Sequence, residues 1–235
     1  ANRRLISQIA ELHFAPTKLS KENLNKNGIN KNIFITGNTV IDSLLKVSSN
    51  VEGFKNEKFN PKINKLILTT IHRRENWGSR LENILKAILI SLREFEDIIF
   101  LIPLHKNNII RRPIIEYLGK EKRVILVEPL NYEKMVGAIK ESKFLLTDSG
   151  GLQEEAPALG KPVLVLRNTT ERQEAIDAGT AKLVGVNPEN IVKNITELLE
   201  NVTLYDSMSN AKNPFGDGTS SEKILIHCLN FLDRK

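Results

Sequence analysis

The stretch "KFLLTDSGGLQEEAPALGKPVLVLR", residues 143–167, holds an apolar run, an Asp-Ser-Gly-Gly turn, a set of helix formers closed by Gly160, and a second apolar run. It reads as strand, turn, helix, strand. A connection that contains a helix returns the second strand parallel to the first. The same alternation extends outward. Upstream lie the strands "KLILTTI" (65–71), "DIIFLIPL" (97–104) and "RVILVEP" (123–129), separated by the helical patterns 79–95, 108–119 and 131–142. Downstream come a short helix around "ERQEAIDAG" (171–179), the strand "AKLVGV" (181–186) and C-terminal helices. Short apolar strands alternating with helices, without hairpin signals, imply an α/β fold: a doubly wound parallel sheet covered on both faces.

In such sheets ligands bind beyond the carboxyl ends of the strands, so the residues that follow each strand are the candidate site. Here those residues are "HRRENWG", "HKNN", "EPLNY", "DSGG" and "RNTTER". Ahead of them the chain reads as helix (2–12), strand (12–17), helix (18–29), strand (32–37) and helix (39–47). The polar, aperiodic segment that follows carries Gly53 and Pro61, and we read 49–64 as a linker between residues 1–48 and a unit of residues 65–235. The sequence opens on Ala1 inside a helical pattern, as expected of a fragment.

Composition bounds the function. A chain of 235 residues with 40% apolar and 26% charged content can bury a core. Its net charge of +6 comes from scattered lysines, and only 6% of residues are aromatic, which argues against a nucleic-acid partner. Cys228 is the only cysteine, so an internal disulfide and a cysteine-based zinc cluster are excluded and a reducing cytoplasm is expected. The apolar runs are too short to span a membrane.

In "DSGG", Ser149 is suited to cap the following helix, and Gly150 and Gly151 leave its first backbone N–H groups open to an anion. An ordinary capped turn explains the same residues equally well. Glu155 adds weight: four residues beyond Gly151, it lies on the same helix face, where a carboxylate can accept both hydroxyls of a ribose. His72, beside Arg73 and Arg74 at a strand end, is placed to meet an anion or to serve the fold. Arg172 can clamp the same anion or pair with Glu171 or Glu174. Asp148 and Glu154 read as supporting or solvated acids. Rival motifs fail on spacing: no Walker loop, no GxGxxG, no GxSxG elbow, and "HRRE" is not a zinc-binding HExxH.

Together, "TGNTVID" at Thr36, "HRREN" at His72, the "TDSGGLQEEAPALGKPVLVLR" block, "TTER" and "NPFGDG" at Asn213 resemble the non-hydrolysing UDP-N-acetylglucosamine 2-epimerases over nearly the whole chain. The resemblance implies a Rossmann-like C-terminal domain of the glycosyltransferase-B type, no cofactor and no metal. It implies interconversion of UDP-N-acetylglucosamine and UDP-N-acetylmannosamine by elimination and re-addition of UDP. It assigns Ser149, Gly150 and Gly151 to the diphosphate, Glu155 to the ribose, His72 and Arg172 to the phosphate side, and Met135 to the uracil. His72 is the residue it implies for catalysis. Arg73 and His105 match an activator subsite for a second UDP-N-acetylglucosamine, though loop-stabilising hydrogen bonds account for them as well. The family's catalytic carboxylates lie in an N-terminal domain that would precede residue 1, so this chain is expected to be the UDP-binding half, inactive alone and dimeric when full length. A glycosyltransferase of the same architecture, a hydrolysing epimerase and a non-catalytic binding module are the alternatives.

Overall fold

The computed structural model describes residues 2–233. The chain opens with α1 (Asn2–Ile9), β1 (His13–Ala15), α2 (Lys18–Lys26), β2 (Ile33–Ile35) and α3 (Thr39–Ser48), β1 and β2 pairing in parallel as a small sheet of their own. There follow β3 (Lys65–Thr70), a 3-10 turn (Arg74–Asn76), α4 (Ser79–Glu94), β4 (Ile98–Pro103), α5 (Asn108–Leu118), β5 (Val124–Val127) and α6 (Tyr132–Glu141). The run in residues 143–167 becomes β6 (Ser142–Thr147), α7 (Leu152–Ala158) and β7 (Val163–Val165). Then come α8 (Gln173–Asp177), β8 (Ala181–Leu183), α9 (Pro188–Glu200), α10 (Val202–Ser209) and α11 (Ser220–Leu232).

Six strands form one parallel sheet in the order β5-β4-β3-β6-β7-β8. Counted within the sheet this is third, second, first, fourth, fifth, sixth, the doubly wound order in which the chain works outward from β3 and then returns to lay β6 on its other side. Because side chains alternate along a strand, each strand feeds both faces. Ile67, Phe100, Ile102, Phe144 and Leu146 enter a core shared with α4, α5 and α9, whereas Leu66, Leu68, Ile99, Leu101 and Leu145 enter the opposite core beside α3, α6 and α7.

Several helices begin on an Asn side chain that accepts from the first-turn backbone: Asn38 from Val40 N, Asn131 from Lys134 N and Asn187 from Asn190 N. Each satisfies a donor that the helix leaves unpaired. Two quoted motifs from opposite ends of the chain close on one another. Gly37 and Gly216 both have positive φ, and a Cβ on Gly37 would stand 3.1 Å from Gly216 Cα. Asn38 N donates to Phe215 O at 2.6 Å, and Asp42 accepts from Ser220 N and Ser221 N at the start of α11, so the last helix returns to α3. Segment 49–64 lies on α6, with Lys140 Nζ donating to Ser48 O and Val51 O, and Phe59 buried.

Several elements are shorter than their sequence patterns. The helix expected over 2–12 ends at Ile9, and the strands expected over 162–167 and 181–186 leave the ladder at Val165 and Leu183. Arg167 N turns back onto Val165 O at 2.8 Å, and Gly185 takes positive φ, so these carboxyl ends become loops while still apolar in composition.

Candidate functional site

The strand order reverses between β3 and β6, and the crevice beyond their carboxyl ends is where such a sheet receives a ligand. "HRREN" follows β3 and "DSGG" follows β6, so the two stretches face each other there. A cavity of about 500 Å³ opens at this point. Its polar lining includes His72, His105, Lys106, Ser149 and Glu155, and its apolar lining includes Pro129, Leu130, Met135 and Leu152. Gly151 also lines it.

One buried carboxylate organises the floor. Asp148 is 0% exposed and accepts from His72 N, from Arg73 N at 2.9 Å, from Asn76 Nδ2 at 3.0 Å and from His72 Nδ1 at 3.0 Å. Burial alone would push this carboxyl up, but the hydrogen bonds from the His72 ring and from the Arg73 and His72 backbone hold it below the ordinary carboxylate range. Asn76, also buried, donates a second time to Leu166 O at 3.1 Å. The 3-10 turn therefore ties together the ends of β3, β6 and β7, and Asp148 is a supporting acid with no solvated character.

The Asp-Ser-Gly-Gly turn differs from the expected cap. The N-cap of α7 is Gly151, and no side chain caps it, because the helix starts two residues later than a Ser149 cap requires. Ser149 N instead donates to Thr147 Oγ1, and Ser149 O receives Gln153 Nε2 at 3.0 Å. Gly150 also departs from its expected role: a Cβ there would stand 2.6 Å from Glu171 Oε1 and 3.3 Å from Arg73 Nη2. Its missing side chain makes room for the Arg73–Glu171 ion pair, whose N···O distance is 3.2 Å. Beside Gly151 the space is open, with Ser149 Oγ the nearest atom at 4.0 Å.

Glu155 N bonds to Gly151 O at 3.0 Å, which confirms the one-turn spacing and brings the carboxylate to the cavity. Burial raises its pKa; a hydrogen bond from Tyr132 Oη at 3.4 Å offsets part of this, and the charge of Glu154 adds to it. Burial and the same carboxylate push the Tyr132 phenol up to about 12.

Glu154 points the other way. It is 5% exposed, pairs with Arg172 Nε, and accepts from Asn38 Nδ2 at 2.6 Å, while Asn213 Nδ2 holds its backbone carbonyl at 3.0 Å. Arg172 Nε pairs with Glu154, a partner different from the neighbouring Glu171 or Glu174, and neither Arg172 nor Arg73 is among the residues that line the cavity. Glu174 reaches back to Thr17 Oγ1 at 2.6 Å. Of the residues singled out in the sequence, His72, His105, Met135, Ser149, Gly151 and Glu155 converge on the cavity, while Arg73, Gly150 and Arg172 do not. Tyr132 and Asn38 escaped the sequence reading. Tyr132 sits one residue past the helix cap in "EPLNY", and that position after a strand was the available signal. Among the described residues no group of three or more His, Cys, Asp or Glu is placed to hold a metal, and no helix is long and apolar enough to cross a membrane.

Residues 1–228 match the family described as UDP-N-acetylglucosamine 2-epimerase. A UDP-N-acetylglucosamine 2-epimerase of Bacillus subtilis (strain 168) is 46% identical over 230 residues, an alignment covering 97% of this chain and 60% of the relative. Among solved structures, the UDP-GlcNAc 2-epimerase of Neisseria meningitidis bound to UDP-GlcNAc is 43% identical with a TM-score of 0.90, covering 97% of this chain and 64% of that one. The wall teichoic acid polymerase TagF superposes with a TM-score of 0.58 at 14% identity, covering 99% of this chain and 61% of that one, a likeness of fold alone. The architecture is the Rossmann-like one of glycosyltransferase-B type proteins. The chain spans about three-fifths of the length of the relatives it matches.

Proposed function

The chain belongs to the UDP-N-acetylglucosamine 2-epimerase family, and on that premise we propose that it holds the UDP moiety during interconversion of UDP-N-acetylglucosamine and UDP-N-acetylmannosamine. The cavity at the β3/β6 switch carries this reading: a glycine-opened turn, a histidine, an acid one helical turn further on, and apolar side chains all line it. The diphosphate sits against Ser149, Gly151 and His72, with the first-turn amides of α7 directed at it. Glu155 accepts the ribose hydroxyls, and Met135 packs on the uracil. Gly150 and Arg172 act one layer back, by seating Arg73–Glu171 and Glu154.

Elimination removes the C2 proton, breaks the C1–O bond and leaves that electron pair on the departing UDP. Re-addition reverses both events on the opposite face at C2. Charge develops on the β-phosphate, so donors fixed before the reaction stabilise the transition state more than the ground state. His72 supplies such a donor from one side and the turn amides from the other. Proton traffic at C2 requires an acid and a base, and Glu155 is the only carboxylate among the residues lining the cavity. We infer that the 235-residue chain binds UDP weakly and does not epimerise by itself.

On the same reading residues 1–48, with the last helix packed back on them, belong to an N-terminal unit, 49–64 to a linker and 65–235 to the UDP-binding unit. A cytoplasmic homodimer, with a second UDP-N-acetylglucosamine near Arg73 and His105 as activator, completes the proposal. Titration of the chain with UDP, followed by NMR, tests the site; absence of binding at every accessible concentration would overturn it. Incubation with UDP-N-acetylglucosamine tests the chemistry, and appearance of UDP-N-acetylmannosamine would overturn the inactivity of the chain alone.

A further inference from the structure

We propose that Asp148 is a positioning residue that dictates which ring nitrogen of His72 faces the cavity. An ionised carboxylate is an acceptor only, so the 3.0 Å contact between Asp148 Oδ1 and His72 Nδ1 places a proton on Nδ1. Nε2 is then the ring atom left for a ligand. It presents a lone pair when the ring is neutral and an N–H when the ring is charged, with the buried carboxylate balancing that charge. The rest of Asp148 is fixed so that it cannot turn away: Oδ2 takes the backbone N–H of His72 at 3.0 Å and of Arg73 at 2.9 Å, and Asn76 Nδ2 at 3.0 Å. The His72 side chain is 39% exposed and borders the cavity, so the ring spans a fully buried acceptor and an open site. On the UDP reading proposed above, Nε2–H of the charged ring is the donor to the diphosphate.

A purely structural Asp148 would gather backbone amides and leave the ring indifferent. Asparagine separates the two roles. Its single oxygen satisfies most donors at the Oδ2 position, which leaves its NH2 against Nδ1. A ring nitrogen facing an NH2 must accept, so the proton moves to Nε2. The experiment is nitrogen-15 NMR of the imidazole of His72, assigned by the loss of its signals in His72→Gln. The neutral ring of the wild-type chain should carry its proton on Nδ1; finding it on Nε2 would overturn the proposal without any variant. Asp148→Asn should invert the tautomer and, with no buried carboxylate to balance a charged ring, leave a neutral Nε2–H in place of a charged donor, weakening UDP roughly tenfold, with uridine, which lacks the diphosphate, bound as before. A variant that keeps the Nδ1 proton, or inverts it with UDP affinity intact, also counts against the proposal. If Asp148→Asn does not fold, the wild-type tautomer alone decides. If the wild-type chain shows the Nδ1 proton and binds no UDP, the nucleotide reading fails and the positioning of His72 stands.

Discussion

Replacing Glu155 by glutamine keeps the shape of the side chain and removes its charge, and the structure sets two opposite consequences. The carboxylate is partly buried beside Glu154 and receives only a long, 3.4 Å hydrogen bond from Tyr132, so its ionised form is disfavoured in the folded chain. A glutamate whose folded pKa lies above its unfolded value leaves stability intact below the unfolded value, and that stability is lost as pH rises through the folded one. Glu155→Gln should therefore be nearly neutral below about pH 4 and increasingly stabilising toward neutrality. The gain should appear as a Tm that rises relative to the parent chain toward neutral pH and converges with it in acid. Binding moves the other way. Two ribose hydroxyls lose a charged acceptor, at about 1.5–3 kcal/mol for such a hydrogen bond, or roughly 10- to 150-fold in Kd for UDP. Thermal melts across that pH range and calorimetric titration with UDP and 2′-deoxy-UDP read both effects, and the deoxy ligand should lose less. Unchanged UDP affinity would remove Glu155 from the ribose subsite, and a lower Tm at neutral pH would refute the argument from burial.

Five further substitutions probe the scaffold. Asn76→Ala deletes donors to Asp148 and Leu166 O and should cost about 2 kcal/mol by urea denaturation, with β3, β6 and β7 losing their common tie. Glu154→Gln leaves either Arg172 Nε or Asn38 Nδ2 facing an NH2 and should cost about 1–3 kcal/mol. A double-mutant cycle with Asn38→Ala should return a coupling above about 0.5 kcal/mol, and additivity would show that the contact is not energetically shared. Gly37→Ala and Gly28→Ala both force an L side chain into positive φ, but a Cβ on Gly37 would stand 2.6 Å from Ser220 Oγ and 3.1 Å from Gly216 Cα, while nothing lies within 4 Å at Gly28. Gly28→Ala should cost about 1 kcal/mol from backbone strain, and Gly37→Ala clearly more, because backbone must move; equal losses would discount the close approach of the two loops.

The sheet strands and helices were legible because their signal is local. The run "KFLLTDSGGLQEEAPALGKPVLVLR" carries its own strand, breaker and helix pattern, and Glu155 lies one turn from Gly151 wherever that helix is placed. Strand ends were less legible, since the apolar residues after Val165 and Leu183 look like strand while their backbone has already turned. Ser149 was misread as a cap for a related reason: two glycines obscure where a helix begins, and the side chain that fills the turn, Gln153, comes from inside the helix.

Periodicity, punctuation and the residues following each strand were therefore determined by the sequence alone, and with them the α/β class and the short list of site candidates. Only the tertiary structure decided that β3 and β6 are neighbours, which joins His72 to Asp148 across 76 positions, and that Arg172 belongs to Glu154 and Gly150 to an ion pair. An arginine in a sequence has many acids within reach of its chain. Which one it meets depends on long-range strand order and on which carboxylates are buried, and neither property is written in local spacing.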